Sequence, residues 1–320
     1  EGKEEKDSKE EPSKDGTKAM PKVLMKTRLD NRIIDLRTQT KQAIFSLSSG
    51  VLQLFREYLI ENDFMEIRTP KLIAGASEGG SNVFKLKYFN KEACLAQSPQ
   101  LYKQMCVMAD FERVFEVSPV FRAENSFTHR HMCEFTGLDM EMSIKEHYFE
   151  ILDICGELFV YIFKGIEERY GKQLEVIKQQ FPFEPLECNN PVLKLTFEEG
   201  VQMLQEAGYK QDLHEDLDTA NEKLLGKLVK DKYKTDFYIL HRYPKSARPF
   251  YTMLSKDDPN FTNSYDFFIR GEEITSGAQR IHDPDFLAQR AKECGIDVST
   301  IQDYIDSFKY GAYPHGGVGI

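Results

Sequence analysis

The chain has 320 residues, 41% hydrophobic and 29% charged, with a formal net charge of -10. That balance suits a globular protein with a sizeable core in one large domain or two ordinary ones, and no run of about eighteen apolar residues offers a membrane span. The acidic excess argues against a generic nucleic-acid binder while leaving room for an enzyme that touches RNA over one local surface.

Residues 1–18 are almost all Glu, Lys, Asp, Ser, Gly and Pro. Such a stretch cannot bury enough apolar area to offset its ordering entropy, so residues 1–26 are expected to be a disordered charged tail or linker. No signal peptide opens it, and the missing initiator Met suggests a natural start upstream. The six cysteines, Cys94, Cys106, Cys133, Cys155, Cys188 and Cys294, form no C-x-x-C pair and lie in apolar segments. They read as core thiols of a reduced intracellular protein. His129, His131 and Cys133 lack the partner motif of a zinc site.

Residues 39–62 predict a helix, with Ile44, Leu47, Val51, Phe55 and Tyr58 on one apolar face. Phe45, Leu52, Leu54, Leu59 and Ile60 lie off that stripe, which predicts burial against a second partner. A short strand over 63–67 stops at Pro70. Residues 76–81 form a small-residue loop holding Glu78, given freedom by two adjacent glycines. Strands follow over 84–89 and 93–96. Ser98 then suits an N-cap and Pro99 the first position of a helix that sets Gln100 and Lys103 on one face.

Residues 117–122 and 132–142 read as two strands joined by a polar loop with turn formers at 125–128. Period-two alternation puts Phe135, Gly137, Asp139 and Glu141 on one face, with Arg122 and Glu124 together at the loop entrance. Gly137 leaves room for something flat to approach the sheet. The hairpin thus groups guanidinium forks suited to phosphate, an aromatic face and acceptors suited to a purine, and carboxylates suited to an amine. The plainer reading is a charge-rich surface hairpin.

Helices are predicted over 146–180, broken at 181–185, and over 196–208 and 221–232. Strands are predicted over 236–240 and 249–253, with Arg248 between them given no role. In 263–280, alternation places Glu273 and Thr275 on one face and Glu272, Ile274 and Ser276 on the other. A bulge or strand end would bring Glu273 and Ser276 together, and the pattern leaves both arrangements open. Ser276-Gly277-Ala278 is expected to end the strand. An acid and a hydroxyl beside phosphates suggest a magnesium site, and Arg280 can fork onto a carboxylate. The plainer reading there is a sheet-edge ion-pair network. Residues 284–308 read as helical with a break at Gly295. Strands joined by irregular connections rather than regular βαβ units give an α+β fold, a mostly antiparallel sheet flanked by helices.

The segment Arg28-Leu29-Asp30-Asn31-Arg32, continued by Asp35-Leu36-Arg37, the long helix, short strand and Pro70, and above all Phe121-Arg122-x-Glu124 followed by His131-xxx-Phe135-xxx-Asp139 carry a resemblance. They resemble the opening of the catalytic domain, motif 1 and motif 2 of the class II aminoacyl-tRNA synthetases. The match is closer to the aspartyl family of eukaryotic cytosolic and archaeal type, over residues 27–320.

The resemblance implies the class II catalytic fold, a homodimer through 39–70, a cytoplasmic location, and ATP with Mg2+. It implies activation of L-aspartate as the adenylate and transfer to the acceptor end of tRNA(Asp). It places Arg122 and Glu273 in catalysis and assigns ATP to Arg122, Ala123, Glu124, Arg130, His131, Met132, Phe135 and Glu273. Aspartate falls to Ser77, Glu78, Gln100, Leu101, Tyr102, Lys103, Asp139, Ser276 and Arg280, and the metal to Glu273 and Ser276. The alternating glycines of 313–320 resemble the opening of motif 3, so the domain is expected to be incomplete at its C-terminus, with a central strand and helix past residue 320. No anticodon-binding domain precedes Arg28. An asparaginyl-tRNA synthetase, a class II asparagine synthetase and a non-catalytic dimerisation or ligand-binding domain are the rivals. An amide substrate gains little from Lys103 plus Arg280, which favours aspartate.

Overall fold

The computed structural model describes residues 23–74, 83–125 and 131–320. Two short helices, α1 (Met25–Asp30) and α2 (Arg32–Leu36), lead into the long α3 (Gln39–Glu61). Then come β1 (Met65–Glu66), β2 (Leu72–Ile73), β3 (Lys85–Tyr88), β4 (Lys91–Leu95) and helix α4 (Gln100–Met108). The hairpin follows as β5 (Arg113–Phe121) and β6 (Glu134–Ser143), then the 32-residue α5 (Phe149–Gln180). Next are β7 (Leu193–Thr196), α6 (Phe197–Glu206), α7 (Thr219–Tyr233) and β8 (Phe237–His241). The chain continues through β9 (Ser264–Ile269), β10 (Glu272–Gln279), α8 (Pro284–Glu293), α9 (Gln302–Ser307) and β11 (His315–Gly319).

Eight strands form one sheet in the order β1-β5-β6-β11-β10-β9-β8-β7, and β2, β4 and β3 form a second of three strands. Only the outer pairs, β1 with β5 and β7 with β8, are parallel in the large sheet. Both faces of that sheet are covered. In β8 Phe237 and Ile239 join the core beneath α3 and α5, while Tyr238 and Leu240 join the core beneath α6 and α7. A third core gathers Val107 of α4, Leu287 of α8 and Ile305 of α9. Helices α3 and α5 approach closely because Gly165 carries no side chain: a carbon added there would lie 2.5 Å from Leu54 Cδ2.

Several expectations need correcting. Residues 249–253 are not a strand; Thr252 donates back to the Pro249 carbonyl, and the segment meets the sheet through one isolated bridge to Arg280. Pro249 brings no N–H to a ladder. β10 does not end at Ser276-Gly277-Ala278 but runs to Gln279. A carbon added at Gly277 would lie 2.5 Å from the Gly317 carbonyl oxygen, so the glycine keeps the strand against β11 rather than ending it. α4 starts one residue late: Pro99 is its N-cap, and Ser98 Oγ accepts from the Gln100 amide at 3.2 Å. Residues 315–319 themselves form the central strand β11, between β6 and β10.

The buried face of α3 is also displaced from the expected stripe. It comprises Ala43, Gly50, Leu54, Phe55, Tyr58 and Leu59, whereas Phe45 and Ile60 are 56% and 59% exposed. Not all cysteines are core thiols, since Cys133 and Cys294 are exposed.

Candidate active site

A cavity of about 440 Å³ opens between β6, β10, the start of α4, the segment 248–252 and the end of β11. The β6 alternation delivers Phe135, Gly137 and Asp139 to its wall. Glu141, next on that face, lies fully buried beneath it. Gln100 of α4 and Arg122, just past β5, complete that side, and Glu273, Ser276 and Arg280 come from the β10 side.

The floor is a buried set of charges. Arg280 Nε donates to Glu141 Oε1 at 2.9 Å; its Nη2 reaches Glu141 Oε2 at 3.2 Å, the Gly317 carbonyl at 3.1 Å and Gln100 Oε1 at 3.3 Å. Nη1 makes no hydrogen bond among the described residues, in a guanidinium that lines the cavity. Lys103, only 1% exposed, sits behind the wall; its Nζ is 3.0 Å from Asp139 Oδ1 and 3.4 Å from Glu141 Oε2. Burial pushes the Glu141 carboxyl up, but the Arg280 and Lys103 charges outweigh it and hold the group below the usual range. Arg280 is pulled down by burial and raised further by Glu141, so it stays cationic. Two cations and two carboxylates therefore neutralise one another, and such a set keeps its geometry because loss of any member strands a buried charge.

At the other end, the Arg122 guanidinium lies over the Phe135 ring, 5.3 Å from its centroid. Arg122 Nε, Arg248 Nε and Gln100 Nε2 are buried donors with no hydrogen-bond partner among the described residues, and all three side chains line the cavity. Orphaned donors of this kind cost free energy until an electron-rich group accepts from them.

The third corner is acidic. The ladder between β9 and β10 slips between Glu273 and Thr275, a bulge that resolves the ambiguity left by strand alternation. Glu273 and Ser276 both face the cavity as a result. Burial pushes the Glu273 carboxyl up to about 8; Asp266 adds to the push and Arg248 opposes it. A bound cation would favour the ionised carboxylate and displace that proton. No group of three or more His, Cys, Asp or Glu among the described residues could hold a metal alone. Magnesium is commonly held by one or two carboxylates plus substrate phosphates, and an acid with a hydroxyl fits such a shared site.

Arg122, Phe135, Gln100, Asp139, Glu273, Ser276 and Arg280 are thus brought together around one cavity. Ala123, Glu124, His131 and Met132 lie at the far end of the hairpin, outside its lining. Leu101 packs with the α4, α8 and α9 core, and Tyr102 with Ile73, Cys94 and Ala96, so neither faces the cavity. Ser77, Glu78, Arg130 and His129 lie outside the described residues. The sequence reading missed Gln97, Ser98, Arg248, Tyr251 and Thr252 on the wall, and Asp266 behind Arg248. An arginine followed by Pro-Phe-Tyr in an otherwise apolar stretch was the one signal for that segment.

A family model described as tRNA synthetases class II (D, K and N) matches residues 24–320. Cytoplasmic aspartate-tRNA ligase 1 of Arabidopsis thaliana is 60% identical over 311 residues, 97% of this chain and 58% of that protein. The cytoplasmic aspartate-tRNA ligase of Homo sapiens is 58% identical over 294 residues, 92% of this chain and 59% of its own. Aspartyl tRNA synthetase from Entamoeba histolytica superposes with a TM-score of 0.87 at 51% identity, covering 96% of this chain and 59% of that one. Asparaginyl-tRNA synthetase from Pyrococcus horikoshii, complexed with asparaginyl-adenylate, superposes with a TM-score of 0.83 at 31% identity, covering 93% and 67%. The chain spans just under three-fifths of the length of these curated relatives. With the family model matched from residue 24 onward, the chain belongs to the class II tRNA synthetases of the D, K and N group.

Proposed function

We propose that this chain carries the amino-acid-activating centre of a cytoplasmic aspartate-tRNA ligase. ATP and L-aspartate give aspartyl-adenylate and pyrophosphate, and the aspartyl group then passes to the acceptor end of tRNA(Asp). The observation that carries the reading is the floor of the cavity, where Arg280 is fixed by Glu141 with Lys103 behind it and keeps one guanidinium nitrogen without a hydrogen bond among the described residues. A guanidinium held in this way can still donate from Nη1 to a small carboxylate and offers no acceptor to an amide N–H.

In the first step an oxygen of the substrate α-carboxylate attacks the α-phosphorus, and the bond to the bridging oxygen breaks with its electron pair leaving on pyrophosphate. No protein nucleophile is needed, so the contribution is positioning and charge stabilisation. Arg122 would hold the α-phosphate through its Nε, which has no partner among the described residues, and Phe135 would stack on adenine. Arg130 and His131 would meet the outer phosphates, with Ala123, Glu124 and Met132 completing the ATP site. Asp139, Ser77 and Glu78 would receive the amino acid beside Gln100, with Lys103 behind the wall. Glu273 and Ser276 would hold Mg2+, which when bound supplies positive charge to the phosphates.

The exposed Phe45 and Ile60 on α3 support a homodimer through residues 39–70, which sedimentation at micromolar concentration would show as twice the monomer mass. The deciding experiment is pyrophosphate exchange by a chain extended to the length of its relatives. Exchange with aspartate and none with asparagine is expected; equal exchange with both would sink the aspartate assignment.

A further inference from the structure

Asp266 and Ser276 are directly opposed across the β9–β10 ladder, and one side chain from outside the sheet bridges them. Arg248 Nη2 is 2.6 Å from Asp266 Oδ2, and its Nη1 donates to Ser276 Oγ at 2.9 Å. The guanidinium carbon lies 3.9 Å from the centroid of the Tyr243 ring, which supports the plane of the fork. Arg248 leaves the end of a short 3-10 turn, Lys245–Ala247, in extended conformation, and Pro249 fixes the chain beyond it. Arg248 and Asp266 are both buried, and Asp266 makes its ion pair with Arg248.

We propose that Arg248 is a positioning residue, the resident counter-cation of this acidic corner. It holds Asp266 and Ser276 in register and moderates the field that a divalent cation meets at Glu273 and Ser276. This rests on the reading above that Glu273 and Ser276 take such a cation. A planar fork can grip an acid and a hydroxyl at once, which an ammonium does less well. The fixed positive charge also opposes a second cation in the same low-dielectric pocket, so the metal binds weakly until phosphate oxygens accompany it. The site is thereby biased toward a metal that arrives with nucleotide.

The test is Mn2+ binding to the nucleotide-free chain, followed by electron paramagnetic resonance, for the parent, Arg248→Gln and Arg248→Lys. Removing the charge should tighten Mn2+ binding by about tenfold or more, while Arg248→Lys, which keeps the charge, should bind close to the parent. A glutamine variant that binds Mn2+ no tighter than the parent overturns the proposal. Thermal melting covers the case in which Arg248→Gln folds poorly. Recovery of its Tm by Mn2+ beyond any gain in the parent supports the role, and a variant equally unfolded with and without Mn2+ overturns it. Absence of Mn2+ binding in all three proteins would remove the metal assignment and this inference together.

Discussion

Glu141 engages Arg280 through both carboxylate oxygens, 2.9 Å from Nε and 3.2 Å from Nη2, in a pair closed to solvent. Lys103 shares Glu141 with Arg280 and adds Asp139, so the cations expected to await a substrate carboxylate are already balanced.

Lys103→Leu should therefore do two things. It strands Asp139 and Glu141 against one guanidinium, and breaking a buried pair in this way costs about 3–5 kcal/mol. It also removes charge beside the proposed aspartate pocket. Urea unfolding should show the loss of stability, and aspartate-dependent exchange in an extended chain should fall by orders of magnitude. Loss of stability with unchanged aspartate kinetics would show that Lys103 supports the fold and not the pocket.

Phe135→Leu keeps an apolar side chain on the cavity wall but removes the ring face beside Arg122. Base stacking on an aromatic is worth about 1–3 kcal/mol. The KM for ATP should rise by roughly tenfold or more, with the KM for aspartate little changed. A parallel rise in both would point to collapse of the cavity instead.

His315 should make stability depend on pH. It is buried, with Nδ1 2.8 Å from the Tyr313 carbonyl and Nε2 3.1 Å from Gln104 Oε1. Burial lowers its pKa from 6.5 to about 4. Between those values the unfolded chain binds a proton that the folded chain refuses. The His315 contribution is therefore present above about pH 6.5 and is lost as pH falls toward about 4, by about 1.4 kcal/mol per unit at most. Urea midpoints from pH 4 to 7, compared with His315→Gln, should differ by that slope. Parallel curves would mean that His315 does not titrate differently on folding.

Gly317→Ala should be severe. A carbon added there would lie 2.0 Å from the Met140 carbonyl oxygen and 2.4 Å from Glu141 Oε2, in the middle of the sheet and against the charged floor. Overpacking commonly costs about 1–3 kcal/mol, and backbone on one side leaves little room to relax. The melting temperature should drop by several degrees, and a change within error would contradict the packing of β11 on β6.

Much of the site was legible because it rests on one strand. Period two alone put Phe135, Gly137 and Asp139 on one wall with Glu141 beneath, since a pleated backbone fixes which side chains share a face. The long helix, the break at Gly295 and the hairpin were legible for similar local reasons. Arg248 was not, because its partners Asp266 and Ser276 lie 18 and 28 residues away and come together only through the β9–β10 pairing. The expected stripe on α3 was displaced because Leu54 and Leu59 are buried by α5 and the sheet, which helical spacing alone cannot locate.

The sequence by itself determined most element types, the two-faced hairpin and the β6 wall of the cavity, all properties of near neighbours along a regular backbone. Only the tertiary structure decided that Glu273 and Ser276 converge, because that depends on a one-residue bulge in the β9–β10 ladder. It likewise decided that Lys103 and Arg280 meet carboxylates of the protein itself, because charges from α4, β6 and the end of β10 become neighbours only when the sheet closes around β11. Once water is excluded there, those charges must neutralise one another.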